Sequence, residues 1–258
     1  MTDFAHAVLP DGMRVYVVGD VHGCLGALQE VEAAIDRDLG RRPAADARIV
    51  LLGDYVDRGP DSAGVLTWII SRAERRTVIP LLGNHDDMLR RFLADPEGEA
   101  YGHWLLNGGD ATLASLGLPA PMALGPRQAA ERRALRDRLS DALGPRRRAL
   151  LDGLRLMHRA GDFVFVHAGI RPGVALEDQD PQDLIWIREP FLDTDADLGA
   201  VIVHGHTPTP EVTVRPHRIG VDTGACFGGR LSCLVLDGSV KALLESDGRR
   251  PLAPGGAG

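Results

Sequence analysis

The sequence has few cysteines and almost no lysine. Lys241 is the only lysine among 29 basic residues, a bias to which we attach no function. The three cysteines form no paired framework, and their spacing lacks the CxxC motif of a structural zinc site. We therefore expect no disulfide framework and no structural zinc ion, and this cysteine content is typical of a reducing compartment.

Secretory and membrane signals are also missing. No basic stretch followed by an apolar run opens the chain, and no apolar segment approaches the length of a membrane span. The net charge of -7 leaves no basic excess to neutralise the phosphates of a nucleic acid. We expect a cytoplasmic protein that binds neither a membrane nor a nucleic acid. A small anionic substrate is still compatible with this charge, because a few arginines beside metal ions can reverse the local field.

Strand-like and helix-like patterns alternate in the first third of the chain. Residues 14–19, 49–53 and 78–83 are short apolar runs that each end at a glycine before a polar residue. Such runs are typical of buried strands in a parallel sheet. Between them, apolar residues recur at three- and four-residue steps over 25–39, and a second helix is predicted to begin near Asp61. The alternation predicts βαβ units.

The later part of the chain has a different organisation. Residues 96–153 are rich in Ala, Arg, Leu and Gly, and we interpret them as a helical insertion over the sheet that caps the site. Further strand-like runs follow and predict a second sheet; they span residues 163–166, 201–203, 212–214 and 231–236. Residues 1–247 are predicted to form a single domain. We expect the Pro- and Gly-rich tail 248–258 to be unstructured.

Each of five predicted strand ends carries side chains of the kind that bind metals. In an open α/β sheet, ligands lie beyond the carboxyl ends of the strands, so these side chains are expected to converge. Carboxylate, imidazole and amide oxygen together suit Mn, Fe, Zn or Mg. These candidate side chains are more than one ion can bind, but their number suits two ions. Asp54 could bridge the two ions, since each of its oxygens can bind one metal. The candidates are Asp20, His22, Asp54, Asn84, His85, His167, His204 and His206.

Each candidate also has a structural interpretation. A single Asp after a strand is more often a turn or N-cap residue, and a single His is usually a surface or packing residue. The occurrence of such side chains at all five strand ends nevertheless favours a metal-binding site. His204 lies two residues before His206 and is interpreted as a structural neighbour rather than a ligand. Asp86 and Asp87 are expected to cap a helix. Residues 222–224 are expected to form a turn, with a purely structural role and a role at the rim of the site as the two alternatives.

Five short motifs resemble those of the PPP-type phosphoprotein phosphatases. They read GDVHG at 19–23, GDYVDRG at 53–59, GNHD at 83–86, HAG at 167–169 and GHT at 205–207. The chain looks most similar to the small bacterial and phage members, which also share WIR and NGG segments. The resemblance implies a calcineurin-like metallophosphoesterase fold of class α/β, in which two mixed β-sheets pack as a sandwich with flanking helices.

The resemblance also implies a role for each matching residue. Two divalent metal ions, most simply Mn²⁺ with Fe or Zn as alternatives, would be bound by Asp20, His22, Asp54, Asn84, His167 and His206. His85 would be the general acid and Asp57 would orient it. Arg58 and Arg188 would hold the phosphate oxygens, which their planar guanidinium groups match in geometry.

The function that we expect from these motifs is hydrolysis of phosphoserine and phosphothreonine in proteins, by attack of a water activated between the two metals, with a phosphoprotein as the substrate. A first alternative is a diadenosine-tetraphosphate hydrolase, because those enzymes resemble the same family. They usually lack an acidic residue where Asp57 lies and lack the GHTP form of residues 205–208. A second alternative, a non-catalytic binding module, is disfavoured because no ligand is missing. The motifs address phosphate and metals rather than the leaving group, so phosphotyrosine is also open.

Overall fold

A six-stranded mixed sheet forms the first half of a β-sandwich. The computed structural model describes residues 2–119 and 129–253. The first three strands of this sheet are parallel, and β9 runs antiparallel to β1 on the other side. The strand order is β11-β10-β9-β1-β2-β3. The strands are β1 (Met13–Val18), β2 (Asp46–Leu51), β3 (Thr77–Pro80), β9 (Cys233–Asp237), β10 (Val240–Leu244) and β11 (Arg249–Pro251).

The second sheet has five strands and is also mixed. Its three central strands, β5, β6 and β8, are parallel to one another, whereas β4 and β7 run antiparallel at the two edges. The order is β4-β5-β6-β8-β7. The strands are β4 (Met157–Ala160), β5 (Phe163–Val166), β6 (Val201–His204), β7 (Thr213–Arg215) and β8 (Arg218–Gly220).

Alternation along β1 determines how the layers pack. Val15 and Val17 contribute to the apolar core shared with the second sheet, where they join Phe163, Phe165 and other strand residues. Tyr16, between them, belongs to the core that includes the helices of the opposite face. Because successive side chains of a strand point to opposite faces, both sides of the first sheet are buried. The predicted α/β fold of two mixed sheets with flanking helices is confirmed.

Seven α-helices in the described residues flank the sheets. The second of them begins as predicted, because the Oδ1 atom of Asp61 accepts a hydrogen bond from the backbone N–H of Gly64 at 2.7 Å. The helices are α1 (Leu25–Arg41), α2 (Ser62–Ala73), α3 (Asn84–Ala94), α4 (Ala100–Trp104), α5 (Asp110–Ser115), α6 (Ala129–Asp152) and α7 (Pro181–Trp186).

The predicted insertion is helical in its described part, and it packs on the other helices. Helix α6 is interrupted at Gly144, where φ is +69°, and buries Leu135 and Leu139 in the core that contains α2 and α3. Between α4 and α5 the helical backbone is broken at Asn107 and Gly108. Residues 120–128 of the predicted insertion lie outside the described residues.

The prediction of an unstructured tail is wrong for Arg249–Pro251, which forms strand β11 against β10. The guanidinium of Arg249 donates to both carboxylate oxygens of Asp38 and to Asp237, so the strand is held by ion pairs as well as by backbone bonds. Residues 254–258 of this tail lie outside the described residues. None of the helices in residues 2–119 and 129–253 combines the length and apolar composition needed to span a bilayer.

Candidate metal centre

The strand ends bring the predicted ligands together. Asp20, Asp54 and Asn84 follow the parallel strands β1, β2 and β3, whereas His167 and His206 follow β5 and β6 of the other sheet. All of them are buried, as are His22 and His85. The site therefore lies where the carboxyl ends of the parallel strands of both sheets meet, which is where an open α/β sheet places its ligands.

The backbone of this site is unusual. Within the described residues, five non-glycine residues have a positive φ, and all five are site residues. Such conformations are costly and persist where the surrounding structure enforces them, often at functional sites. A Cβ atom on Gly83 would lie 2.1 Å from the Oδ1 atom of Asp54, so only glycine permits this close approach. The five residues are His22, Asp54, Asp57, Arg58 and His206.

One group of possible ligand atoms comes from His22, Asp54 and His85, whose atoms all lie within 4.8 Å of one another. The Nδ1–H of His22 donates to the carbonyl of Val56 at 2.8 Å, which leaves Nε2 with its lone pair, 3.3 Å from the Oδ2 atom of Asp54. The Nη1 atom of Arg58 donates to this same Nε2 at 2.9 Å. Metal binding by His22 would therefore require the guanidinium to move off this nitrogen.

A second group is formed by Asp54, His167 and His206, again with ligand atoms within 4.8 Å. The Nδ1–H of His167 donates to the carbonyl of Leu52, so its Nε2 presents a lone pair. This nitrogen lies 3.0 Å from the Oδ1 atom of Asn84 and 3.6 Å from the Oδ2 atom of Asp54. Three acceptor atoms thus face one another, an arrangement that a cation between them would satisfy.

The donor set therefore fits divalent metals. The Nε2 atom of buried His206 and the Oδ1 atom of buried Asp20 have no hydrogen-bond partner in the part of the chain that the structure describes. Burial opposes ionisation of Asp54, but the neighbouring His167, His85 and His22 hold its pKa well below the usual range. An ionised carboxylate among imidazole nitrogens and an amide oxygen is suited to Mn, Fe, Zn or Mg rather than to a thiolate-preferring metal.

Two details differ from the sequence-based expectation. Asp54 was expected to use one oxygen for each metal, but its Oδ1 atom accepts the backbone N–H of His85 at 2.9 Å, and Oδ2 is the oxygen near both His22 and His167. Asp20 was expected to act with His22, but its hydrogen bond is to a residue of the second group: its Oδ2 atom accepts the backbone N–H of His206 at 3.0 Å. Burial, with the charges of Asp222 and Asp54, raises the pKa of Asp20 well above its usual range. A nearby dication would stabilise the ionised form of this carboxylate.

The predicted pair of His85 and Asp57 is formed. The Nδ1 atom of His85 lies 2.8 Å from the Oδ2 atom of Asp57, and both side chains are buried. The other carboxylate oxygen of Asp57 accepts hydrogen bonds from Trp104 Nε1 at 2.9 Å and from Thr112 Oγ1 at 2.7 Å. Trp104 and Thr112 were not identified from the sequence, because no motif marks them and they lie in the segment that was interpreted as a cap.

The two predicted phosphate-binding arginines belong to different segments of the chain, one after β2 and one after α7. Arg58 is beside His22, and its backbone N–H donates to the carbonyl of Gly108. Arg188 is exposed and follows α7. Burial, with smaller contributions from the neighbouring His167 and Arg188, lowers the pKa of His206 to about 2.

His204 and Asp86 are structural neighbours of the ligands. His204 is buried against Phe191, and burial lowers its pKa to about 4, so the ring is neutral. Asp86 caps α3 as expected, because its carboxylate accepts the backbone N–H of Gly83 at 3.1 Å. The same carboxylate also accepts the backbone N–H groups of Asp54 and Tyr55, at 2.8 and 3.0 Å. This side chain joins two of the sequence motifs.

Asp222 lies at the rim of the site. Its Oδ1 atom accepts the backbone N–H of Gly224 at 2.9 Å, which forms the expected turn. Its charge contributes to the raised pKa of Asp20, so the turn also shapes the electrostatics of the metal site.

A family model for calcineurin-like phosphoesterases matches residues 13–230. A symmetrical bis(5'-nucleosyl)-tetraphosphatase from Acidovorax sp. (strain JS42) is 35% identical over 167 residues, which are 62% of this chain and 45% of that protein. The chain thus spans less than half of that relative's length. The asymmetrical bis(5'-nucleosyl)-tetraphosphatase PrpE of Oceanobacillus iheyensis is 25% identical over 240 residues, which cover 85% of this chain and 87% of that protein.

Solved structures with the same fold include proteins of several activities. A protein provisionally named a diadenosine tetraphosphatase has a TM-score of 0.60 at 22% identity, covering 86% of this chain and 88% of its own. A cold-active protein tyrosine phosphatase has a TM-score of 0.61 at 19% identity, covering 96% and 82%. At these identities the likeness concerns the fold alone.

The relatives overturn the expected substrate. They are named as bis(5'-nucleosyl)-tetraphosphatases, not as serine/threonine protein phosphatases. The prediction of a PPP-type protein phosphatase, with a phosphoprotein as its substrate and partner, is therefore wrong. It gave Asp57 too much weight, because Asp57 orients His85 and contacts nothing that would distinguish a protein from a nucleotide. The fold, the motifs and the family match agree at the coarser level: the chain belongs to the calcineurin-like phosphoesterase family.

Proposed function

We propose that this protein hydrolyses dinucleoside tetraphosphates, with diadenosine tetraphosphate as the reference substrate, and that it uses two divalent metal ions. The observation that carries the hydrolase assignment is the pair of ligand groups that share Asp54, His22 with His85 on one side and His167 with His206 on the other. The substrate class is supported by relatives such as the Oceanobacillus tetraphosphatase, whose similarity extends over most of both chains.

The proposed metal ligands are the six predicted residues. Asp20, His22 and Asp54 would hold one ion, and Asp54, Asn84, His167 and His206 the other, with Mn²⁺ as the first ion to test. Bound at such a site, two divalent ions supply an activated water nucleophile and electrostatic stabilisation of the phosphoryl oxygens.

His85 is the proposed general acid. Its Nδ1 faces Asp57, so its Nε2 is the nitrogen left to donate a proton to the departing phosphate oxygen. Asp57 holds the ring in this orientation. Because Trp104 and Thr112 occupy the other oxygen of Asp57, that carboxylate has no freedom to turn away from the imidazole.

Arg58 and Arg188 are proposed to bind the polyphosphate. Arg58 donates a hydrogen bond to His22 of the first ligand group. Arg188 follows Trp186 by two positions, and the ring of Trp186 lies 6.0 Å from that of His206 in the second group. A tetraphosphate chain is strongly anionic, and planar guanidinium groups match its phosphate oxygens in geometry.

The proposal is tested by chromatography of the products. The protein is freed of metal with chelator, reloaded with Mn²⁺ and incubated with diadenosine tetraphosphate. We expect adenine nucleotides to appear, either ADP alone or ATP with AMP, and the metal-free protein to be inactive. If the reloaded protein leaves the dinucleotide intact with Mn²⁺, Fe²⁺, Zn²⁺ and Mg²⁺ in turn, the proposed function is wrong.

A further inference from the structure

Two exposed aromatic side chains stand at the candidate metal centre. Phe227 is 66% exposed and Trp186 is 39% exposed, whereas every other Phe, Tyr and Trp in the described residues is buried. Large apolar rings are normally withdrawn from water, so two exposed rings beside one site are a feature that the metal chemistry does not explain.

Phe227 lies on the His22 side of the site. The guanidinium carbon of Arg58 is 5.2 Å from the centre of its ring, and the same guanidinium donates to His22. The ring sits in a tight turn: its backbone N–H donates to the carbonyl of Gly224 at 2.9 Å, and Gly224 and Gly228 both have positive φ. The turn therefore constrains the backbone segment that carries the ring.

Trp186 lies next to His206, which belongs to the second ligand group. The centres of the two rings are 6.0 Å apart and their planes are nearly perpendicular, at 83°. Trp186 is the last residue of α7, and Arg188 follows it by two positions. Each ligand group is therefore linked to one exposed aromatic ring, the first to Phe227 through Arg58 and the second to Trp186 through His206. Asp54 is common to the two groups.

We propose that Phe227 and Trp186 are stacking surfaces for the two nucleobases of a dinucleoside tetraphosphate, so that each residue binds one base while the phosphate chain passes over Asp54. This inference rests on the proposed function and adds the recognition of the nucleosides to it. Base–aromatic stacking is strong and tolerant of base identity, because every base has a π-face. An arrangement with one ring at each end suits a substrate that has a nucleoside at each end.

Kinetics with base-containing and base-free ligands test the stacking. The ligands are diadenosine tetraphosphate as substrate and inorganic tripolyphosphate as a competitive inhibitor of the manganese-loaded enzyme. In Phe227→Ala and in Trp186→Ala we expect KM for the dinucleotide to rise about tenfold, and by several times more than the inhibition constant of tripolyphosphate. Val240→Ala is the matched control, since Val240 is 47% exposed but pairs with Asp237, which lies beside Arg14 at the far end of β1.

The outcomes separate this inference from the proposed function. If the wild-type enzyme does not cleave the dinucleotide, the proposed function fails. If it does, but both alanine variants keep the wild-type KM or lose affinity for tripolyphosphate by the same factor, the proposed function stands and the stacking inference is overturned.

Tryptophan fluorescence gives a readout that does not depend on turnover. Trp186 is exposed, whereas Trp68 and Trp104 are buried. A methylene-bridged, non-hydrolysable dinucleoside tetraphosphate should quench the emission of the wild-type protein, and tripolyphosphate should not. Trp186→Phe should abolish the quenching and raise KM by less than Trp186→Ala does, because phenylalanine can still stack. Quenching that persists in Trp186→Phe would contradict the role of Trp186.

Discussion

The Nδ1 atom of His85 lies 2.8 Å from the Oδ2 atom of Asp57, and the contact is fully buried. The opposite oxygen of Asp57 is held by Trp104 and Thr112, which belong to a segment 47 to 55 residues further along the chain. A carboxylate with both oxygens occupied cannot rotate, so it fixes the imidazole that it contacts. The proposed proton donor is thus positioned by residues from two distant parts of the sequence.

The first prediction concerns this positioning. Trp104→Phe removes the indole N–H that binds Asp57 and keeps an aromatic ring against Phe92, which lies 5.3 Å from it. We expect kcat for a substrate with a poorly acidic leaving group to fall about tenfold, a fraction of the effect typical of a general acid, with metal content unchanged. The measurement is kcat across a series of leaving groups, together with metal analysis.

Trp68→Phe is the matched control for that experiment. The Nε1 atom of Trp68 also donates to a carboxylate, that of Glu32, at 2.7 Å, but away from the site. Equal losses of kcat in the two variants would indicate a general effect on stability, and the positioning role of Trp104 would be wrong.

The second prediction separates the two possible roles of His85. His85→Ala should retain both metals and lose about 10² to 10⁴ in rate on substrates with poor leaving groups. The loss on a phosphate anhydride should be smaller, because that leaving group needs less protonation. Inductively coupled plasma analysis of metal content decides the matter, with His6→Ala as control, since the side chain of His6 is 80% exposed. A variant that loses one metal would show that His85 is a ligand, as its place in the first group of atoms permits.

The third prediction concerns Asp54. Asp54→Asn keeps the size of the side chain but removes the charge that lies between His22 and His167. We expect weaker binding of both metal ions, measured by calorimetric titration with Mn²⁺, and at least a hundredfold loss of activity. Two ions bound with wild-type affinity would refute the shared role of Asp54.

The fourth prediction concerns the strand at residues 249–251. Burial alone would raise the pKa of Asp38, but hydrogen bonds from Arg249 and Tyr16 and the charges of Arg249 and Arg14 hold it below 3.8. A depressed pKa contributes stability that is present above 3.8 and is lost as the pH falls through the folded-state value. Arg249→Met should therefore lower the free energy of unfolding by about 3 kcal/mol at pH 7, and by progressively less below pH 3.8.

Urea denaturation across pH provides this measurement, with Arg250→Met as control. Arg250 pairs with Glu245 through a side chain that is 54% exposed, so its loss should change stability by less than about 1 kcal/mol. An Arg249→Met variant as stable as the wild type would mean that β11 is not anchored through Asp38.

The layout of the fold and most of the site could be predicted because their signals are local. A short apolar run followed by a side chain of the kind that binds metals is visible at each of the five strand ends, and the ends of parallel strands must meet. Strand β11 was missed because the composition around Pro251 resembles that of an unstructured tail. The ion pair that holds the strand joins Arg249 to Asp38, which is more than 200 residues away and cannot be seen in a local pattern.

Trp104, Thr112 and the threefold role of Asp86 could not be predicted, because they depend on tertiary contacts. Asp86 is 31 and 32 residues from two of the backbone groups that it holds, and no pattern in the sequence indicates that contact. The substrate was predicted wrongly because the motifs carry side chains suited to metals and phosphate and do not distinguish one leaving group from another. Phe227 lies outside the five motifs, and Trp186 ends helix α7.

The most direct measurement is the ratio of kcat/KM values of the manganese-loaded protein for diadenosine tetraphosphate and for a phosphoserine peptide. The account predicts that the dinucleotide is preferred by at least about a hundredfold and that chelation abolishes both activities. A preference for the peptide, or equal rates on the two substrates, would contradict the proposed dinucleoside tetraphosphate hydrolase and leave the shared metal chemistry as the part that stands.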